Sequence, residues 1–223
     1  DHTVQPDTST SGEMIGSYTA WADGYTGAGS RVAIIDTGID RDPPSFTGEG
    51  LAYGLAISAA KFGVQVSDYN LLTVEDVEAV LPRLHVAERL EGVTAQELYT
   101  NQKIPFGFDY LSKNIDYNCD ATSGDHGCHV AGIAAANTYI PYTDADGDVY
   151  YAPQENGVTG VAPNAQVLVM KVFSGGWGAY ESDYMAAIED AILLGCDSVN
   201  LSLGSASAGR SYTTSYAELF ESI

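Results

Sequence analysis

Strand-like and helix-like segments alternate in the second half of the chain, and this alternation limits the folds that it can adopt. An apolar run at residues 166–173 precedes a glycine-rich turn. Residues 182–194 follow, with apolar side chains at helical spacing up to Gly195. Residues 198–203 again have the composition of a strand. The order strand, helix, strand predicts an α/β fold with a parallel sheet flanked by helices, in which active sites form at the carboxyl ends of the strands.

Another buried strand is predicted near the start of the chain, because residues 31–35 form a short apolar run that ends at Asp36. This strand would bring a carboxylate to the same edge of the sheet. Thr73 and Thr94 each begin a capping-box pattern with an acidic residue three positions later, which predicts a helix after each of them. We interpret the region at about 50–104 as a surface insertion in a single domain.

The charge of the chain excludes two classes of partner. Its 30 Asp and Glu residues against 9 Lys and Arg residues give a formal net charge of -21, which repels the phosphates of nucleic acids and the anionic surface of membranes. No segment reaches the roughly 20 consecutive apolar residues that a membrane-spanning helix needs. We therefore expect neither nucleic-acid binding nor membrane insertion.

Three short motifs follow one another along the chain: Ile-Asp-Thr-Gly-Ile-Asp at 35–40, Asp-His-Gly-Cys-His-Val-Ala-Gly at 125–132, and Asn-Leu-Ser-Leu-Gly at 200–204. Acyl transfer by a serine needs a His to accept the serine proton and a carboxylate to hold that His in the right tautomer. Asp36, at a strand end, and His126, at the start of a helix rich in small residues, can supply these two groups. The ordered set is more specific than any one of its members.

In these motifs the chain resembles the subtilisin-like serine peptidases, and more closely the cell-envelope proteinases of the lactocepin type. The likeness runs from about residue 21 to residue 204 and includes 104–110, before the His motif, and 157–173. The resemblance implies a subtilisin-like fold in which Asp36 is the carboxylate of an Asp-His-Ser triad and His126 is its base. It also implies an enzyme that needs no cofactor for chemistry and that is secreted or held at the cell surface.

The resemblance further implies a cleft that binds an extended peptide or protein substrate. One side of the cleft would pair its backbone with the substrate, and the loop before the predicted helix would form the other side. The residues that the resemblance assigns to these two sides are Ser202, Leu203 and Gly204, and Trp177, Gly178 and Ala179. Main-chain hydrogen bonds of this kind bind almost any sequence, while side-chain pockets supply the selectivity.

Two parts of the family's active site have no counterpart in the 223 residues. In the family, an Ala-Gly-Asn segment for the oxyanion hole and a Gly-Thr-Ser segment for the nucleophile follow the substrate strand, and neither occurs here. Ser202 and Ser205 belong to the substrate strand and its loop. We therefore expect 1–223 to be the N-terminal portion of a peptidase domain that is incomplete at its C-terminal side. The remaining segment, cut from the same precursor, would supply the Ser.

An acidic stretch leaves two interpretations open. Asp144, Asp146 and Asp148 stand at alternate positions, and Glu155 is twelfth if Asp144 is first, a spacing similar to that of a calcium-binding loop. Gly147 is fourth rather than sixth, which favours an ordinary acidic loop. The other interpretation is a structural calcium ion. The alternative to an enzyme is a catalytically inactive, calcium-dependent peptide-binding or adhesion module that keeps the peptide-binding edge, and a Gly-Thr-Ser element in a co-purifying chain would favour the enzyme over this module.

Cys128 stands where the family has Thr in its His-Gly-Thr-His pattern. One interpretation is a small, buried apolar residue, and the other is a thiol that makes the enzyme sensitive to thiol-reactive metals. The other cysteines are Cys119 and Cys196, and the odd total leaves at least one thiol without an intramolecular disulfide partner. By the same resemblance, His129 takes the family's second, structural histidine position.

Overall fold

The structure is a computed structural model that describes residues 8–119, 124–153, 158–173 and 178–204. Within these residues the chain forms eight α-helices, three 3₁₀ helices and six β-strands. The α-helices are α1 (Thr8–Ile15), α2 (Ser17–Ala22), α3 (Gly48–Phe62), α4 (Val74–Val80), α5 (His85–Arg89), α6 (Ala95–Leu98), α7 (His126–Ala135) and α8 (Glu181–Leu193). The strands are β1 (Arg31–Asp36), β2 (Phe106–Asp109), β3 (Tyr139–Thr143), β4 (Val149–Pro153), β5 (Gln166–Lys171) and β6 (Ser198–Asn200), and the 3₁₀ helices are Pro44–Phe46, Val66–Asp68 and Leu81–Arg83. In these parts of the chain, no helix combines the length and the apolar character that crossing a membrane requires.

Four strands form a parallel sheet in the order β2-β5-β1-β6. β1 and β5 pair along their full length, from Arg31 opposite Gln166 to Asp36 opposite Lys171. Helix α8 connects β5 to β6, which lies on the other side of β1. The predicted α/β fold, with a parallel sheet flanked by helices, is confirmed, and the carboxyl ends of all four strands lie at one edge.

The side chains of the sheet alternate between two cores, one on each face. One core packs against α8 and the other against α7. The sheet residues on the α8 face include Ala33, Ile35, Leu168 and Met170, and those on the α7 face include Ile34, Val167 and Val169. Because both faces are covered, the central strands are apolar at almost every position, and this is why they stand out in the sequence as continuous runs.

The region at about 50–104, which the sequence analysis interprets as a surface insertion, contributes to the core. Apolar side chains from α4, α5 and α6 share one core with β1, β2 and β5. Among them, Val77, Val86 and Leu98 have no exposed surface. Short helices gain most of their stability by packing an apolar side on a larger surface. The part of the region from α4 to α6 therefore lies against the face of the sheet that α8 also covers, rather than standing away from it.

Several local predictions for the helices are confirmed. Thr73 caps α4 by accepting the N–H of Asp76, and Thr94 caps α6 by accepting the N–H of Glu97. Each acidic side chain in turn accepts the N–H of its Thr, which completes both capping boxes. Helix α8 lies within one residue of its predicted bounds. Gly195, just beyond it, has a φ of 70°, as is common after the end of a helix.

Two strand predictions differ from the structure. The acidic stretch at 144–148 is the turn of a hairpin, in which β3 and β4 pair antiparallel. The acidic loop that the sequence predicts is this turn, but the sequence does not predict the two strands beside it, because they are stabilised by their pairing and by stacked cross-strand tyrosines rather than by a long apolar run. The strand expected over 198–203 is shorter, since its pairing with β1 ends where Asn200 lies opposite Ile34.

Candidate active site

Asp36 is the last residue of β1, which lies in the interior of the sheet with β5 and β6 on its two sides. Its main-chain oxygen accepts the N–H of Val172 at 2.9 Å. Only 1% of its surface is exposed. Its carboxylate accepts the N–H of Thr37 at 2.7 Å. The strand therefore holds a buried carboxylate in a fixed position at the carboxyl edge of the sheet.

His126 is the first residue of α7, and its ring contacts Asp36. Nδ1 lies 2.8 Å from Oδ1 and 2.9 Å from Oδ2 of the carboxylate. Because a carboxylate only accepts hydrogen bonds, Nδ1 carries the proton, and Nε2 is the basic nitrogen of the neutral ring. The side chain is 55% exposed, so the ring is open to a group that approaches from outside.

Close contacts at the start of α7 hold the histidine in this position. The N–H of Gly127 donates to Oγ1 of Thr37 at 2.9 Å. A Cβ atom at Gly127 would lie 2.2 Å from the main-chain oxygen of Gly38, so a side chain there would displace the backbone. Gly38 itself has a φ of 88°, in the left-handed region that favours glycine. The turn after Asp36 and the first turn of the helix are thus packed directly against each other.

The pair formed by Asp36 and His126 can move a proton. An imidazole that is held by a carboxylate can accept a proton from a hydroxyl group and return it later in a reaction. The carboxylate fixes the tautomer and stabilises the imidazolium that forms between the two transfers. Because Asp36 is shielded from water, this stabilisation is less screened than it would be at the surface.

The predicted substrate-binding residues follow the two strands that flank β1. Residues 202–204 come after β6, and the side chain of Ser202 donates to Oδ1 of Asn200 at 2.9 Å. Gly178 and Ala179 come between β5 and α8, and Ala179 packs against the core. Trp177, predicted on the same side, lies outside the described residues. The structure thus places the two predicted sides after the strands on either side of Asp36.

The acidic residues predicted as calcium ligands lie on the turn between β3 and β4. Oδ1 of Asp144 accepts the N–H groups of Asp146 and Asp148, each at 2.9 Å, so this carboxylate stabilises the turn. All three residues are exposed, and Glu155 lies outside the described residues. In the described parts of the chain, no three His, Cys, Asp or Glu side chains gather closely enough to hold a metal ion. Calcium binding stays a prediction to which this turn adds no support.

Cys128 contacts a second cysteine, which the sequence does not predict. The Sγ atoms of Cys119 and Cys128 lie 2.7 Å apart, and both residues are free thiols. Burial above all, and also the contact with Cys119, raise the pKa of the Cys128 thiol to about 12. A neutral thiol is a poor nucleophile, so Cys128 is not suited to attack a substrate. His129, predicted to take a structural position, is exposed.

Thr37 and Cys119 lie near the site, although the sequence analysis gives them no role there. Thr37 could have been found, because it directly follows the strand-end carboxylate of Asp36 and precedes Gly38 in the first motif. Cys119 offers no such signal. Its separation from Cys128 by nine positions does not show that the two side chains meet, since the contact depends on how the intervening residues fold.

Comparison with known proteins identifies relatives of the chain. The model of the subtilase family matches residues 27–222. A PI-type proteinase of Lactococcus lactis subsp. cremoris is 32% identical over 160 residues, which are 70% of this chain and 8% of that protein. A PII-type proteinase of Lacticaseibacillus paracasei is 31% identical over 189 residues, 83% of this chain and 8% of that protein. The minor extracellular protease Vpr of Bacillus subtilis is 29% identical over 214 residues, 96% of this chain and 19% of that protein.

The chain therefore spans only a small part of each of these relatives. The resemblance stated from the motifs, to subtilisin-like peptidases and to the cell-envelope proteinases among them, is confirmed. The matched range of the family model includes Asp36, His126 and the whole parallel sheet. With a family match over most of its length and a sheet of the expected kind, the chain belongs to the subtilase family.

Proposed function

We propose that the protein containing this chain is a serine endopeptidase that hydrolyses peptide bonds of extracellular proteins. The observation that carries the proposal is the contact of His126 Nδ1 with the buried carboxylate of Asp36 at the carboxyl edge of the sheet. The family, and relatives that are named as proteinases, support it. In this proposal the nucleophilic Ser and the Asn of the oxyanion hole come from a segment outside residues 1–223.

In the proposed reaction His126 carries the proton. Nε2 accepts the proton of the Ser hydroxyl while the Ser oxygen attacks the peptide carbonyl, and it then delivers this proton to the leaving amine. Asp36 holds the Nδ1 proton and stabilises the imidazolium between the two transfers. A water molecule then repeats the sequence and releases the acyl group. Every proton transfer uses a group of the protein, so the chemistry requires no cofactor.

The strand order supports a substrate cleft that crosses β1. β5 and β6 flank this strand, and the segments that leave them, with Gly178 on one side and 202–204 on the other, are the two proposed sides of the cleft. A peptide between them would pass over Asp36 and beside His126. The pairing of β6 with β1 ends at Asn200, so it does not use the main-chain groups of 202–204. Main-chain groups of this kind are what an extended peptide pairs with.

We further propose that the protein is secreted or held at the cell surface. The Bacillus subtilis relative is named as an extracellular protease, and a net charge of -21 favours solubility outside the cell. The proposed partners are peptide or protein substrates and the segment that carries the Ser, from the same precursor. The acidic surface disfavours nucleic acid and anionic lipid as partners.

Replacement of His126 by Ala in the full-length protein tests the proposed function. We expect kcat/KM for a peptide substrate to fall on the order of 10⁶-fold, because proton transfer loses its carrier. His129→Ala is the matched control, since it removes an exposed histidine from the same helix. It should leave turnover close to that of the unmodified protein, because an exposed side chain away from the site contributes little.

The kinetic result separates the possible outcomes. If the His126→Ala protein keeps a kcat/KM within about tenfold of the unmodified protein, the assignment of the base is wrong. If His129→Ala abolishes turnover and His126→Ala does not, the other histidine is the base. A full-length protein that binds extended peptides but hydrolyses none would instead be an inactive binding module.

A further inference from the structure

Two of the three cysteines face each other beside the candidate active site. Cys128 lies in the first turn of α7, two residues after His126, and Cys119 lies in the segment before this helix. Their Sγ atoms are 2.7 Å apart. A covalent bond between two sulfur atoms is about 2.04 Å long, so a movement of well under 1 Å would join them.

Hydrogen bonds attach both cysteines to the loop that follows Asp36. The N–H of Cys119 donates to the main-chain oxygen of Ile39 at 3.3 Å. Cys128 Sγ accepts the N–H of Asp40 at 3.0 Å. The two sulfur atoms thus meet where three parts of the site come together: the loop after the triad carboxylate, the helix that begins with His126, and the segment before this helix.

We propose that Cys119 and Cys128 form a modification site, in which a reversible disulfide covalently ties the segment before α7 to the helix that carries His126. The oxidant is a low-molecular-weight disulfide, RSSR, such as oxidised glutathione. In total, two cysteine thiols are oxidised to one disulfide, and one RSSR is reduced to two RSH molecules.

The reaction proceeds in two exchanges. The thiolate of Cys119 attacks one sulfur of RSSR, the S–S bond of RSSR breaks, and RS⁻ leaves and takes up the proton that Cys119 gave to solvent. Cys128 then loses its proton to solvent, its thiolate attacks the adjacent Sγ of Cys119, the mixed disulfide breaks, and the second RS⁻ leaves and takes up a proton from solvent. Cys119 acts first in this order, because burial raises the pKa of the Cys128 thiol to about 12 and keeps it protonated.

Cys196 provides an internal control. It follows α8, and the next residue, Asp197, donates its N–H to the main-chain oxygen of Arg31, at the start of β1. The cysteine pair lies beyond the other end of that strand. A strand of six residues is roughly 17 Å from its first to its last Cα, so Cys196 is too far away to replace either partner in a disulfide.

The effect of the disulfide on the enzyme rests on the proposed peptidase function. The disulfide would close a short loop from Cys119 to Cys128, which includes His126. A closed loop reduces the number of conformations that the unfolded chain can adopt, and this stabilises the folded state. Oxidised protein should therefore lose peptidase activity more slowly on heating than reduced protein. We expect a difference in half-life on the order of tenfold.

Peptide mapping of the full-length native protein tests the inference. Protein reduced with dithiothreitol is exposed to oxidised glutathione, free thiols are alkylated in denaturant, and the product is digested with the endoproteinase that cleaves before Asp. The digest separates residues 116–119 from residues 125–143. In most molecules these two peptides should be joined by a disulfide. The mass of the joined product should equal the sum of the two peptide masses minus two hydrogen atoms, and dithiothreitol should separate the peptides. Cys196→Ser should leave the joined product unchanged.

The mapping distinguishes this inference from the proposed function. Recovery of both peptides as separate alkylated species after oxidation, or a disulfide that links either one to Cys196, would overturn the disulfide assignment. This measurement on the unmodified sequence needs no variant to fold. If the linked peptides form but the protein hydrolyses no peptide, the disulfide stands and the peptidase proposal fails. If they form and the half-life of activity is unchanged by reduction, the proposed effect on the active site is wrong.

Discussion

At the scale of single residues, the candidate site depends as much on small residues as on its two titratable ones. Asp36 and His126 are 90 positions apart in the sequence, and their contact depends on how closely α7 approaches the turn after β1. Gly127 permits this approach because it has no Cβ, and its N–H is satisfied by Thr37. The motif around His126 predicts a helix with small residues, but the contact with Gly38 becomes visible only in the structure.

Gly127→Ala should therefore impair the site without any change to Asp36 or His126. The new Cβ would lie 2.2 Å from the oxygen of Gly38, and the start of the helix must move to relieve the clash. Because a displacement of about 1 Å can reduce a rate on the order of 100-fold, we expect at least that loss in kcat/KM.

Gly132→Ala is the matched control for this substitution, since a Cβ at Gly132 meets no atom within 4 Å. Alanine also favours the helical conformation more than glycine does, so this variant should keep its activity and unfold at an equal or higher temperature. Peptidase assays and thermal unfolding of the two variants make the comparison. Equal activity in the Gly127→Ala and Gly132→Ala proteins would show that the close approach at Gly127 is not needed.

At the scale of elements, the parts that local sequence signals determine are the parts that could be predicted. β1 and β5 are continuous apolar runs, α8 has an apolar face that stops at Gly195, and the capping boxes of α4 and α6 need only residues three positions apart. The β3–β4 hairpin could not be predicted in the same way. Its strands are partly exposed and carry the alternating pattern weakly, so their stability depends on cross-strand pairs.

A buried lysine in the segment before β2 forms hydrogen bonds with the segment that leads into β5. Lys103 has no exposed surface, and its ammonium group donates to the main-chain oxygens of Pro163 and Ala165 at 2.8 and 2.6 Å. The N–H of Val167, near the start of β5, donates to the main-chain oxygen of Lys103 at 2.8 Å. Burial lowers the pKa of Lys103 from 10.5 to about 7, because the charged form loses its hydration.

The pKa of Lys103 predicts how the stability of the protein changes with pH. Between about pH 7 and 10.5 the unfolded chain holds the lysine proton while the folded chain releases it. The unfolded state thus binds more protons, and this residue makes the free energy of unfolding rise with pH in that window, by up to about 1.4 kcal/mol per pH unit. Below about pH 7 both states are protonated, and the contribution to the slope disappears.

Lys103→Met should flatten this rise, because methionine fills a similar volume and has no proton to release. Urea unfolding at pH 7, 8 and 9 measures the slope, and the Lys61→Met protein, altered at an exposed lysine, is the control that should keep it. The absolute stability of the Lys103→Met protein also reflects two carbonyl groups that lose their donor, so the slope is the informative quantity. Equal slopes in the Lys103→Met and unmodified proteins would contradict the lowered pKa.

At the scale of the whole molecule, the ordered motifs predicted the fold and the pairing of Asp36 with His126, since they are specific to one family. The burial of the region at about 50–104 was not predicted. Capping signals show where its helices begin, but the face on which they pack is set by the sheet, which is distant in sequence. The contact of Cys119 with Cys128 was missed for a similar reason, because close sequence spacing does not determine how side chains meet.

The central claim is that Asp36 and His126 activate a serine outside residues 1–223. Its most direct test is to map where a fluorophosphonate probe reacts on the full-length protein, because such a probe bonds to a serine that a neighbouring base activates. We predict a single labelled serine outside residues 1–223, with labelling lost in the His126→Ala protein and kept in the His129→Ala protein. Labelling of a serine within these residues, or labelling that persists in the His126→Ala protein, would contradict the account.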